Sequence, residues 1–135
     1  MRTRAKRFLA LLLGLVTLLL LAVPANLLAG SLVAEMQGLQ AELASQPDQP
    51  LRNKETIYTL RLRDSRGNAV GGAKVTLAGE MADGMTVLAP LRPTGEPGAY
   101  SGRLMFTMEG EWRLRLRIVG AGEPFELQLT ERVVR

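Results

Sequence analysis

Met81 and Met85 stand four residues apart around Ala-Asp-Gly, and Met105 and Met108 precede the glycine at position 110. Thioethers are soft ligands that suit Cu(I), so a methionine-only copper site is chemically feasible, with Met81 and Met85 as its candidate ligands. Packing competes for the same residues, because Met81 continues the core parity of an alternating segment and Met108 sits beside a turn. The chain has no histidine and no cysteine. That removes imidazole bases, thiolate nucleophiles, disulfides and the commonest zinc ligands together. No resident cofactor is expected beyond the copper alternative.

A second set of residues is cationic. Arg103, Arg113, Arg115 and Arg117 recur in GAYSGRLMFTMEGEWRLRLRI, residues 98–118, at positions that alternate with apolar side chains. Such a row, joined by Arg61 and Arg63, projects from the outer face of adjacent strands and can meet an acidic partner or lipid headgroups. A plain solvated strand face carries the same pattern, and exposed ion pairs add little stability. The acids Asp83, Glu96, Glu109 and Glu123 fall between the alternating segments. A paired-carboxylate hydrolase needs two such groups at a set separation, which linear spacing does not supply. The expectation is a chain that is not an enzyme, works by binding, and has no small-molecule substrate.

The elements that must position these residues begin with a leader. Of the 17 Lys and Arg in 135 residues, Arg2, Arg4, Lys6 and Arg7 precede any acid, and the remaining 13 balance the 13 Asp and Glu. The body is formally neutral and lacks the counterion-releasing footprint of a nucleic-acid binder. After the basic cluster, FLALLLGLVTLLLLAV, residues 8–23, is uncharged, and no charge appears until Glu35. This membrane-targeting segment reads either as a signal peptide, cleaved after Ala25 or Ser31, or as a retained anchor; its length favours retention. On both readings the basic end stays cytoplasmic and the rest is exported. The expected location is a bacterial inner membrane, single pass with an extracytoplasmic carboxy-terminal domain, or the periplasm after cleavage.

Three regions follow from this: residues 1–30 as anchor or signal segment, 31–50 as juxtamembrane helix and linker, and 51–135 as the exported domain. The helix rests on Leu32, Met36, Leu39 and Leu43, whose spacing of four, three and four places them on one helical face. Pro47 and Pro50 then break it.

From residue 51 the period becomes two. Tyr58, Leu60 and Leu62 share one face, Ala73, Val75 and Leu77 another, residues 86–91 form a weaker strand ended by prolines, and residues 64–68 form a turn. Tyr100, Leu104 and Phe106 face inward, the chain turns near Gly110, and Trp112, Leu114, Leu116 and Ile118 face inward on the return. If residues 120–123 turn the last hairpin, Ile118 meets Phe125, Leu116 meets Leu127, Leu114 meets Leu129 and Arg117 opposes Glu126. A slip of one residue would send every apolar side chain to water. The predicted fold is mainly β, an immunoglobulin-like antiparallel β-sandwich, preceded by the transmembrane or signal helix and the juxtamembrane helix.

Two stretches carry a resemblance. DSRGNAVGGAKVTL, residues 64–77, and the Gly-x-Tyr, strand, Gly-x-Trp, strand pattern of residues 98–118 resemble the FixH-like and YtkA-like group of exported bacterial β-sandwich domains. The resemblance implies an anchored or secreted accessory protein without enzymatic activity, linked to metal transport or to assembly of copper-containing respiratory oxidases. It implies a membrane-protein partner. A Met-based Cu(I)-binding periplasmic protein and a purely structural envelope module are the competing readings.

Overall fold

The computed structural model describes residues 31–135. The expected leader helix, residues 1–30, lies outside them. The described residues form eight strands: β1 (Ser31–Met36), β2 (Leu39–Gln46), β3 (Glu55–Asp64), β4 (Lys74–Glu80), β5 (Thr86–Pro93), β6 (Ala99–Met105), β7 (Gly110–Val119) and β8 (Phe125–Val133). All named pairings are antiparallel, in the order β1-β2-β3-β6-β5-β4-β7-β8.

The strand order folds into two layers because β5 changes partner. Its residues 86–91 pair with β4, whereas Arg92 and Pro93 pair with β6. Pro90, expected to end this strand, lies inside it opposite Thr76. A proline has no N–H to leave unpaired, and it sits just where β5 passes from one sheet to the other. The layers β1-β2-β3-β6 and β5-β4-β7-β8 enclose the core, with Tyr58, Leu60, Leu62, Tyr100 and Phe106 facing Val75, Leu77, Trp112, Leu114, Leu116 and Ile118. All of these are at most 2% exposed. The inward parity expected for β3, β4, β6 and β7 is therefore the parity found.

The last hairpin has the expected register residue for residue: Ile118 opposes Phe125, Leu116 Leu127, Leu114 Leu129 and Arg117 Glu126. The segment before β4 is pinned by a buried phenol. Tyr100 donates its hydroxyl to Val70 O (2.9 Å) and accepts from the Ala73 N–H (3.1 Å).

Residues 31–46 correct the expectation of a juxtamembrane helix. They form the hairpin β1–β2, and β2 continues the sheet onto β3. Gln37 and Gly38 both adopt positive φ (53° and 77°), the conformation of the tight two-residue turn whose twist suits a hairpin. The expected linker, residues 47–50, leads straight into segments held to the sandwich: Val134 N–H donates to Pro50 O (3.1 Å), and just beyond it Arg52 N–H donates to Val134 O (2.8 Å) and Asn53 N–H to Phe106 O (2.8 Å). The sandwich thus already includes Ser31, twenty residues before the expected boundary.

Register also assigns the connections to two ends. Ser31, residues 47–54, 81–85 and 106–109 and the carboxy terminus lie at one end; the turns at 37–38, 64–73, 94–98 and 120–124 lie at the other.

Candidate functional site

The outer face of β5-β4-β7-β8 carries three of the four arginines singled out from sequence. Alternation turns Arg113, Arg115 and Arg117 of β7 away from the core, while Trp112, Leu114, Leu116 and Ile118 turn into it. Across the sheet, register aligns Leu88, Ala78, Arg115 and Gln128 in one row and Thr86, Glu80, Arg113 and Thr130 in the next. The small side chain of Ala78 leaves an open trough of about 620 Å³ between Leu88 and the guanidinium groups of Arg113 and Arg115. Leu88, 70% exposed, has the highest exposure of any large apolar side chain among the described residues.

The charges on this face are unequally matched. Arg113 pairs with Glu80 at 3.0 Å, and Arg115 reaches Glu126 at 4.0 Å. The cross-strand pair expected between Arg117 and Glu126 is absent although the two backbones are opposite, because Glu126 leans to the diagonal neighbour. Sheet twist brings such diagonals within reach of long side chains. Arg117 has no ion pair among the described residues.

Arg103 is separated from the other three. The connection from β6 to β7 crosses between the layers instead of closing a hairpin, so Arg103 belongs to the opposite outer face, where it pairs with Glu55 at 3.3 Å. Arg61 and Arg63 share that face, and Arg61 meets Glu96 at 3.5 Å.

The methionines gather at the end where Ser31 begins. Met81 N–H donates to Met85 O (2.8 Å) and closes the tight 81–85 connection. Met81 Cε lies 3.0 Å from where a Cβ on Gly110 would sit, and Thr107 Oγ1 donates to Met85 Sδ at 3.9 Å. The 81–85 and 106–109 connections therefore face one another, and Met108 belongs to the second of them. Met81 packs partly on the core, whereas Met85 and Met108 are each 41% exposed. Met105 lies on the outer rim of β6 opposite Glu55.

A polar contact bridges the two layers beside β8. Tyr58, fully buried on β3, donates its hydroxyl to Glu131 Oε1 at 3.3 Å, within a cleft of about 200 Å³ between β1, β2 and β8. Burial raises the Glu131 carboxyl above its usual range, partly opposed by the Tyr58 hydrogen bond, and burial with the adjacent carboxylate pushes the Tyr58 phenol far up. Asp64 behaves oppositely: backbone N–H groups of Asn68 and Arg66, both at 2.9 Å, hold its carboxyl low.

A carboxyl whose folded-state pKa is raised binds more protons folded than unfolded, so its contribution declines as pH rises through the acidic range; the lowered Asp64 acts in the reverse sense. Glu131→Gln should therefore stabilise the chain more at pH 7 than at pH 4. Urea midpoints at the two pH values measure this, and an equal gain at both would remove Glu131 as the cause.

Sequence reasoning missed Leu88 and Ala78, although the inward positions Ala89 and Leu91 of β5 imply that Leu88 faces out. It had no means of pairing Tyr58 with Glu131, 73 positions apart.

The same architecture occurs elsewhere. A DUF4426 family protein from Pseudomonas aeruginosa PAO1 is similar over 78% of this chain and 95% of its own, with a TM-score of 0.62 and 12% identity. The filamin domain of Lin-41 is similar over 76% of this chain and 90% of its own, with a TM-score of 0.51 and 21% identity. At such identities both are likenesses of fold alone, an all-β, barrel-like immunoglobulin-type sandwich. No curated protein matches the chain. The family model described as YtkA-like matches residues 34–117, from within β1 to within β7. The chain belongs to the YtkA-like family.

Proposed function

We propose that this chain is a non-catalytic, membrane-anchored accessory protein whose exported sandwich binds a membrane-protein partner through the outer face of β5-β4-β7-β8. The observation that carries the reading is the trough: the guanidinium groups of Arg113 and Arg115 stand against the single carboxylate of Glu80, beside an exposed leucine and over an alanine floor, with Arg117, unpaired among the described residues, farther along the same strand. A surface with surplus cations and an apolar anchor suits an acidic partner segment carrying an apolar side chain, since opposite charge orients the encounter and the apolar contact holds it. The uncharged leader of residues 8–34 supports anchoring, and the resemblance to FixH-like proteins supports a role in metal transport or respiratory-oxidase assembly.

Crosslinking in intact cells, followed by membrane purification, tests the surface. The double substitution Arg115→Glu and Arg117→Glu should reduce the co-purifying membrane partner about tenfold or more, the effect of losing roughly 1.4 kcal/mol. Arg61→Glu with Arg63→Glu, on the opposite face, should leave it unchanged. Equal losses from both faces would discard the trough as the docking site.

Met81 and Met85 on one connection, with Met108 on the connection that faces it, favour a second reading, a Cu(I)-binding protein. Thioethers carried on two facing connections would supply a soft donor set without histidine or cysteine. Under anaerobic competition with a chromogenic Cu(I) chelator, the chain should withdraw one equivalent of metal. Met81→Leu with Met85→Leu should abolish this while Met105→Leu retains it. A chain that leaves the chelator fully loaded does not hold copper there.

A further inference from the structure

The two ends of the sandwich differ in polarity. Of the six exposed large apolar side chains among the described residues, Met85, Met105 and Met108 stand at the end where Ser31 begins, exposed by 41%, 52% and 41%. The opposite end is closed by glycine-rich polar turns, with Val119, 37% exposed, as the only member of that set near it. Isolated exposed apolar residues are ordinary, but three on one end of a small domain make a directional feature.

The chain enters at that same end. Ser31 already pairs with Ala44 as the first residue of β1, and no charged residue occurs between Arg7 and Glu35. The connections at this end carry Arg52, Lys54 and Arg135 against Asp48, Asp83 and Glu109, and beside Met105 the paired strands add Arg103 against Glu55. Two pairs are closed, Arg103 to Glu55 at 3.3 Å and Arg135 to Glu109 at 3.7 Å. The balance leaves this end without net attraction for anionic or cationic surfaces, so a contact made here is apolar.

We propose that the methionine-bearing end rests on the lipid bilayer, with Met85, Met105 and Met108 reaching the boundary between headgroups and acyl chains. The proposal rests on the anchored reading and adds the orientation of the sandwich, which stands on its methionine end with the arginine trough facing sideways along the membrane. Tethering supplies a high effective concentration, so three partly exposed thioethers suffice where a free domain would bind weakly. A methionine side chain is flexible and adapts to irregular apolar surroundings.

The absence of cysteine makes each introduced thiol a unique label. The full chain, reconstituted in phosphatidylcholine nanodiscs, would carry Met85→Cys, Met105→Cys or Met108→Cys, with Asn68→Cys and Glu123→Cys marking the far end. Near-ultraviolet circular dichroism of Trp112 checks that each variant is folded. Fluorophores at 85, 105 and 108 should be quenched by lipid-borne nitroxide and shielded several-fold from an aqueous quencher, whereas those at 68 and 123 should show the reverse. Adding anionic lipid should not alter the pattern. Equal accessibility at both ends of a chain that stays in the disc would overturn the orientation and leave the anchored reading intact. A chain released by alkaline extraction would overturn the anchored reading and the orientation with it.

Discussion

Trp112→Ala is expected to lower the stability of the sandwich by about 3–5 kcal/mol, the range for truncating a large buried aromatic side chain. Trp112 is wholly buried between the layers, and its ring meets Phe106 edge-on, with centroids 5.2 Å apart and planes at 60°. Its indole N–H donates to Met108 O at 3.1 Å, which ties the crossing from β6 to β7 onto the core. Gly79 leaves room for this packing: a Cβ there would lie 2.6 Å from Leu114 Cδ2 and 3.7 Å from Trp112 Cε3. Alanine removes the ring contact and the hydrogen bond together and leaves a cavity that two hydrogen-bonded sheets have little freedom to collapse. Trp112→Phe should cost less, because an aromatic ring still meets Phe106. Denaturant unfolding followed by far-ultraviolet circular dichroism measures both, and an unchanged midpoint for the alanine variant would refute the central position of this residue.

Gly98→Ala should cost about 2–5 kcal/mol through a different mechanism. Gly98 has φ +73°, a left-handed conformation that costs an L-residue about 1–2 kcal/mol. An added Cβ would lie 2.7 Å from Leu62 O and 2.9 Å from Ala69 Cβ, and Gly98 O accepts the Leu62 N–H at 2.8 Å. The backbone on both sides is held, so the methyl group cannot be relieved by one side chain rotating, and overpacking adds about 1–3 kcal/mol. Gly95→Ala separates the two causes. Its φ is +95° but nothing lies within 4 Å of an added Cβ, so only the conformational part should appear. If both alanine variants unfold at the same denaturant concentration, the close approach to Leu62 contributes nothing.

How far the sequence could be read depended on how local each feature was. The β7–β8 register was legible because one short turn and strict alternation leave a single arrangement that buries Leu114, Leu116 and Ile118 against Leu129, Leu127 and Phe125. Residues 31–46 misled for an equally local reason. The spacing of Leu32, Met36, Leu39 and Leu43 fits one helical face, but it also fits two strands of even spacing joined by a two-residue turn. In the hairpin Leu32 opposes Leu43 and position 36 opposes Leu39. The alternation of Leu39, Ala41 and Leu43, together with the Gln-Gly pair, was the signal for the turn.

The candidate sites show the complementary limit. Four arginines at strand spacing read as one row, yet the β6–β7 crossing sends Arg103 to the opposite face and leaves the trough to Arg113 and Arg115. Glu126 was placed opposite Arg117 correctly by backbone register, and its carboxylate went to Arg115. Tyr58 and Glu131 are likewise joined only by the stacking of one layer on the other.

Sequence by itself determined the alternating strands from residue 55 onward, their inward faces, the register of the final hairpin and the exclusion of histidine and cysteine chemistry. Each follows from residue type or from contacts only a few positions apart. Tertiary structure alone decided which layer each strand joins, that β1 and β2 complete the first layer, and which methionines and arginines become neighbours. Those outcomes depend on whether a connection turns back within its sheet or crosses to the other, and both routes bury the same apolar side chains; only the packing of the two layers distinguishes them.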